Sequence, residues 1–439
     1  MLKRKYLAAA VIAASALVIS GCSATGSPTP DRSLPISQQT NSGASSDASS
    51  GTSSEMPVES QVPDETKMLA QANQLAKSYD YAGALKVLEG ASGQDVEAAR
   101  EEITADQAKT VVWEDNSQIS HLFFHSLVVD PKRAFDGDDR QQGYLDYMVT
   151  MDEFNKIIAE LYERDFVLVN PEDIAEIDKN GKMVYKKIHL PKGKTPIVLS
   201  EDDVSYYEYM DGDGFPSKLL LDENGKVTNE YTDAKGKTVL GSYDMVPLID
   251  DFVEKHPDFS YRGAKGIIAL TGYNGVLGYR TSKSQYPDNK NIEQDIKTAT
   301  EVADAMKANG WVFASHAWGH IDMGKSSVAR VKNDMKLWNE EVRPIVGDTD
   351  QFIYAFGADI ARVEKYSGTK YEMLKKDGFD FFYGVDGTTT AWMQKGDGYL
   401  RQARINLDGL QFAKEKRGDR PVLKTFFDVK KVIDPARPK

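Results

Sequence analysis

The stretch Ile292 to Ala308, closed by Asn309-Gly310 and followed by Trp311-Val312-Phe313-Ala314-Ser315-His316-Ala317-Trp318-Gly319-His320, decides the fold. Its first part has the length and amphipathic spacing of a helix. Asn-Gly stops that helix, and the apolar run beyond it reads as a buried strand. A helix feeding a buried strand is the repeating unit of α/β architectures. The alternation extends both ways along the chain. Upstream, Leu122-Phe123-Phe124-His125, Phe166-Val167-Leu168-Val169, Ile197-Val198-Leu199 and Ile267-Ile268-Ala269-Leu270 read as strands, with Met151 to Arg164 as a helix. Downstream, Ser326 to Val342 and Val363 to Lys376 read as helices, and Phe352-Ile353-Tyr354 and Phe379 to Tyr383 as strands. A Gly-, Asp- and Asn-rich segment near 212–238, with Asp222-Glu223-Asn224-Gly225 as a hairpin turn, reads as a β-rich insertion. The α/β body is placed at 119–439.

Polar residues gather where two of these strands stop. Leu199 runs into Ser200-Glu201-Asp202-Asp203, and Ala314 into Ser315-His316-Ala317-Trp318-Gly319-His320. In α/β barrels the loops after the strands converge at one end, so residues far apart in sequence can share a site. Of two adjacent carboxylates, one can hold a metal ion while the other takes a proton from water. By itself such a pair is a weak signal, because adjacent aspartates are common on solvated loops. Histidines at i and i+4 can lie on one face of a helical turn and reach one ion. Alone, they read equally as surface histidines. Both groups lie at strand ends, and that favours a shared site.

On these residues the chain resembles the NodB-like polysaccharide deacetylases. Ser200-Glu201-Asp202-Asp203-Val204 stands where the family has Thr-Phe-Asp-Asp-Gly, and His316-Ala317-Trp318-Gly319-His320 matches its His-Ser/Thr-x-x-His. Phe124-His125 is similar to the Tyr-His of many members' first strand. Met151 to Phe154 and Val169 to Asp173 resemble the family's first helix and loop. The resemblance covers roughly 120–410. It implies a deformed (β/α) barrel and a hydrolase that removes N-acetyl groups from a cell-wall or surface polysaccharide. By the same resemblance Asp203, His316 and His320 would bind a divalent metal, zinc, and Asp202 would be the general base. The third motif falls at Tyr354-Ala355-Phe356-Gly357, where the Phe356 backbone N–H would stabilise the oxyanion. That segment has neither the family's arginine, which orients the base, nor its proline. No histidine follows His320, so the late Leu-x-His acid is missing and Arg404-Ile405-Asn406 is its nearest counterpart. Arginine cannot give up its proton near neutral pH. His125 is the alternative acid; it reads equally as a core histidine bonded to backbone.

Tyr206, Tyr207, Tyr209, Tyr273 and Tyr279 offer an aromatic platform for sugar rings, or ordinary core packing. Two readings compete with an active deacetylase. One is a catalytically impaired glycan-binding or envelope-assembly protein on the same fold. The other is different metal chemistry, since two histidines and a carboxylate also describe non-haem iron sites. No phosphate-binding loop or Gly-x-Ser-x-Gly elbow occurs, and the lone cysteine, Cys22, sits at a lipidation-like site, which leaves none for a Cys-His enzyme.

The remaining segments concern location. Lys3, Arg4 and Lys5 precede a short apolar run, Leu7 to Ile19, and then Ile19-Ser20-Gly21-Cys22. This resembles a bacterial lipoprotein signal peptide over 1–22, with Cys22 lipidated and the protein held on the extracytoplasmic face of the cell membrane. Residues 23–63 are Ser-, Gly- and Pro-rich, a flexible linker that cannot bury a core. Residues 64–110 carry apolar residues at helical spacing, among them Leu69, Ala72, Leu75, Ala84, Leu85 and Leu88. They read as a helical hairpin, similar to a single tetratricopeptide unit. A formal net charge of -13 disfavours nucleic acid and anionic lipid as partners. The expected partners are the N-acetylated polysaccharide and, through the lipid alone, the membrane; the protein is expected to be a monomer.

Overall fold

The computed structural model describes residues 65–419 and 421–438. The signal segment 1–22 with Cys22 and the linker 23–63 lie outside the described residues. Seven parallel strands form the body: β1 (Ser120–His125), β2 (Thr195–Asp202), β3 (Gly266–Leu270), β4 (Trp311–Ser315), β5 (Gln351–Ile353), β6 (Phe381–Val385) and β7 (Leu400–Asn406). Each pairs with the next in parallel, and β7 pairs with β1. The ring is closed, so this is the expected deformed (β/α) barrel. The deformation has a local cause. A short strand, Phe166–Leu168, pairs with Thr195–Ile197 of β2, while β3 pairs with Ser200–Asp202 further along. Two strands thus share one edge of β2.

Parallel strands covered on both faces need near-continuous apolar sequence. Ile197, Leu199, Ile268 and Phe352 pack outward with the helices Met151–Glu163 and Ile292–Ala308. The alternate residues Val198, Ile267, Ala269, Ala314 and Ile353 fill the interior. By the same alternation Ser200 and Asp202 point inward and Glu201 outward.

The segment read as a helical hairpin folds as three helices, Glu65–Lys77, Tyr81–Val87 and Gln94–Ala108. Asp80 caps the second through Gly83 N–H, and Gly90 and Gly93, both at positive φ, separate it from the third. Ala72, Ala84, Leu88, Val96 and Ile103 share one apolar cluster with the barrel interior. Tyr79 stacks on Tyr261, in the loop before β3, so these helices seal the N-terminal end of the barrel.

Two expectations need correction. The helix read over Val363 to Lys376 is confined to Thr369–Lys376. Buried Arg401 donates to the carbonyls of Arg362 and Glu364 and pairs with Asp359, so those carbonyls are taken by a side chain instead of a helix. The barrel strand β7 carries no strand signal in the sequence. Its sequence, Leu-Arg-Gln-Ala-Arg-Ile-Asn, lacks an apolar run because the inward positions Gln402 and Arg404 are polar. The β-excursion is a three-stranded antiparallel sheet, Lys218–Leu221, Val227–Thr232 and Thr238–Gly241, turning at Gly225 with φ 78°. Among the described residues no helix is long and apolar enough to cross a membrane.

Candidate active site

The carboxyl ends of β1, β2, β4, β5 and β7 meet at the end of the barrel opposite the sealing helices. Asp202 is the last residue of β2, and Asp203 follows it with φ 64°. This left-handed turn, uncommon outside glycine, swings Asp203 away from the strand's alternation. His316 follows β4 directly, and its Nδ1 lies 2.9 Å from the carbonyl of Ile353. A carbonyl only accepts, so Nδ1 carries the hydrogen and Nε2 is free to ligate. Burial lowers the His316 pKa, which keeps the ring neutral as a ligand must be.

The histidine segment is not a helical turn, which corrects the sequence reading. Ala317 and His320 have φ of 61° and 49°, and the chain makes a tight loop. The carboxylate of Asp334, on the helix Val328–Glu341, accepts the N–H groups of Trp318 and Gly319 at 2.7 and 2.9 Å. Those donors are satisfied by a side chain, so the loop needs no helical bonds to bring the imidazoles together.

One ligand atom each from Asp203, His316 and His320 lies within 4.8 Å of the others. Asp203 Oδ2 and His320 Nε2 are 3.7 Å apart. Zinc bound tetrahedrally at about 2.0–2.1 Å sets its ligands roughly 3.3–3.5 Å apart, so the donor set fits a small divalent ion with little movement. Asp202 Oδ2 lies 3.9 Å from His316 Nε2, beside this triad and outside it.

The partner of Asp202 comes from the strand that sequence reasoning missed. Arg404 on β7 donates Nη1 to Oδ1 at 2.6 Å and Nη2 to Oδ2 at 2.9 Å. Its Nη1 also reaches Ser200 Oγ, which His121 Nε2 contacts at 2.9 Å. Burial would raise the Asp202 carboxyl, but Arg404 and then His316 outweigh it and hold the group well below the usual carboxylate range. Arg404 therefore holds and orients the Asp202 carboxylate from β7.

Glu201, the unusual charge of the first motif, faces outward against Asp244. Burial and that neighbour raise its pKa well above the usual value. His125 ends β1, half-buried, with Nδ1 3.1 Å from the carbonyl of Tyr147. Nδ1 therefore donates, leaving Nε2 free, and the ring lies near the carboxyl groups of Asp202, Asp203 and Asp408. Phe356 has φ 59° and is 70% exposed, and its ring lies 4.3 Å from that of His320. No acceptor among the described residues takes its N–H. A groove of about 700 Å³ runs from Phe356 past Val363, Val385 and Trp392.

The tyrosines divide. Tyr207 is stacked between Tyr209 and Tyr273, at 5.4 and 5.3 Å, while Tyr206 is buried and bonded to Asn229. Tyr279 is half-buried, with Lys218 over its ring.

Fold and site together define a parallel barrel with a two-histidine, one-carboxylate cluster at the carboxyl ends of its strands. Residues 289–379 match the profile of the family described as polysaccharide deacetylase. That match contains His316 and His320 and stops short of Asp203 and Arg404. Among solved structures the chain is similar to the Streptococcus pyogenes deacetylase PplD in complex with acetate. Identity is 14% and the TM-score 0.37, over 70% of this chain and 98% of that one. It is also similar to BA0330 of Bacillus anthracis, titled a candidate polysaccharide deacetylase, at 14% identity and TM-score 0.35, over 70% and 69%. No curated protein sequence matches the chain.

Proposed function

We propose that this protein is a metal-dependent hydrolase that removes N-acetyl groups from a cell-wall or surface polysaccharide. The observation that carries this is the meeting of Asp203, His316 and His320 within ligand distance, with ionised Asp202 beside them. The profile match over residues 289–379 gives it independent support.

A divalent ion held by these three residues, zinc in this reading, supplies Lewis acidity toward the amide carbonyl and lowers the pKa of water. Asp202 takes the proton of the attacking water, its carboxylate kept ionised and oriented by Arg404. The Phe356 N–H, turned outward by its left-handed backbone, donates to the oxygen that becomes negative as the carbonyl is attacked. His125 Nε2 delivers a proton to the departing amine, its ring fixed through Nδ1 by the Tyr147 carbonyl. The open groove beside Phe356 gives room for the neighbouring sugars. The reading includes a lipid on Cys22 that holds the protein on the extracytoplasmic face of the membrane.

One observation favours a second reading, a glycan-binding protein on the same fold. The late histidine is absent, and its nearest counterpart Arg404 is locked to Asp202. The experiment is metal analysis together with acetate release from N-acetylglucosamine oligomers and wall fragments. About one divalent ion per chain is expected, lost in His316→Ala, with acetate release abolished in Asp202→Asn while the ion stays bound. Bound metal without acetate from any N-acetylated glycan moves the conclusion to binding.

A further inference from the structure

Four residues after Asp203 the chain returns to it. Asp203 and Tyr206 are both left-handed, with φ of 64° and 48°, and Ser205 N–H closes onto the Asp203 carbonyl at 2.6 Å. This doubling-back puts the Tyr207 hydroxyl 2.6 Å from Asp203 Oδ1. An ionised carboxylate only accepts, so the phenol donates its single proton there. The other neighbour of the hydroxyl is Thr271 Oγ1 at 2.9 Å, and Thr271 in turn lies 3.0 Å from Ser205 Oγ. With the tyrosine proton committed, Thr271 must donate to Tyr207. Its own oxygen is then free to accept from Ser205. The chain Ser205, Thr271, Tyr207, Asp203 therefore has one direction, and it ends on Oδ1. The ring of Tyr207 is held between Tyr209 and Tyr273, at interplanar angles of 14° and 18°, which fixes the hydroxyl. Oδ2, the oxygen 3.7 Å from His320 Nε2, takes no part in this chain.

We propose that Tyr207 is a positioning residue for the metal site: it occupies Oδ1 of Asp203 and so presents Oδ2 as a single-oxygen ligand aligned with His316 and His320. The inference rests on the metal-site reading of the previous subsection. Groups hydrogen-bonded to a ligand commonly change metal affinity by about 10–100-fold when removed.

The test is titration of the metal-free protein with Zn2+, and with Co2+ followed by its visible absorption, without substrate. Tyr207→Phe keeps the stacked ring and removes only the hydroxyl. It should weaken both ions by about 10–100-fold and alter the Co2+ spectrum, while the metal-free protein melts as the wild type does. Tyr209→Leu, which removes a stacked ring but no bond to Asp203, should change the affinity less than about threefold. If Tyr207→Phe folds poorly, Thr271→Val takes its place, since it removes the proton donated onto Tyr207 and should weaken the ions several-fold. Wild-type affinity in the folded hydroxyl variant overturns the proposal, as does equal weakening by Tyr207→Phe and Tyr209→Leu. A wild-type protein that binds neither ion overturns the metal site itself and this inference with it.

Discussion

Arg404 and Asp202 face each other through two parallel hydrogen bonds in the barrel interior, the arginine side chain fully buried and the carboxylate 4% exposed. A planar fork meeting a carboxylate this way fixes orientation as well as charge. Arg404→Ala leaves the buried Asp202 carboxylate without its cation. Breaking a buried pair on one side costs on the order of 3–5 kcal/mol, to be read by urea denaturation near neutral pH. The pH dependence has a definite sign. Because the folded-state pKa of Asp202 is lowered, the pair's stabilisation is present above the unfolded carboxylate value, about 3.9, and is lost as pH falls through the folded value. The wild type should therefore lose more stability than Arg404→Ala on acidification below about pH 4. Arg404→Lys keeps the charge but not the fork, and acetate release should fall while the ion stays bound. Parallel acid curves for wild type and Arg404→Ala would show that the pair does not stabilise the fold.

The His125 assignment makes a prediction about rate. With Nδ1 committed to the Tyr147 carbonyl, any proton for the leaving amine must sit on Nε2. His125→Gln should lower kcat by about 10²–10⁴-fold, the usual worth of general acid catalysis, and leave metal content unchanged. An aryl acetate, whose leaving group needs no proton, should be hydrolysed by the variant at near the wild-type rate. Equal loss on both substrates would make His125 a structural residue and leave the acid elsewhere.

The α/β alternation and the strand-end clusters that hold Asp203, His316 and His320 were legible in the sequence because apolar runs and the polar residues that end them are local signals. Trp311 to Ser315 leading into His316 is contiguous, and so is Ile197 to Asp203. What stayed hidden depends on contacts between distant segments. β7 carries Gln402 and Arg404 inward, against His121 and Asp202, so its polarity makes sense only inside a closed ring. Tyr207 looked like one of several interchangeable tyrosines until the left-handed turn at Asp203 folded it back. The histidine spacing suggests a helical turn because spacing reports proximity but not backbone path; Asp334, more than ten residues on, sets that path.

Arg437 donates Nε to Glu153 Oε1 at 2.8 Å and Nη2 to Oε2 at 2.7 Å, and it also reaches the carbonyls of Leu145 and Met148. Glu153 is completely buried and already serves the capping box of the helix Met151–Glu163, accepting Thr150 N–H at 2.8 Å. One carboxylate thus joins a helix start to residues more than 280 positions later. Arg437→Ala strands that charge and should lower stability by about 3–5 kcal/mol, seen as a lower urea midpoint with an unchanged slope. Glu153→Gln keeps the cap acceptor but is neutral, so adding it to Arg437→Ala should recover part of the loss, a coupling of about 1–3 kcal/mol in the double-mutant cycle. A loss below about 1 kcal/mol with no coupling is the behaviour of an exposed ion pair. In that case Arg437 would not be what holds the chain's end to the barrel.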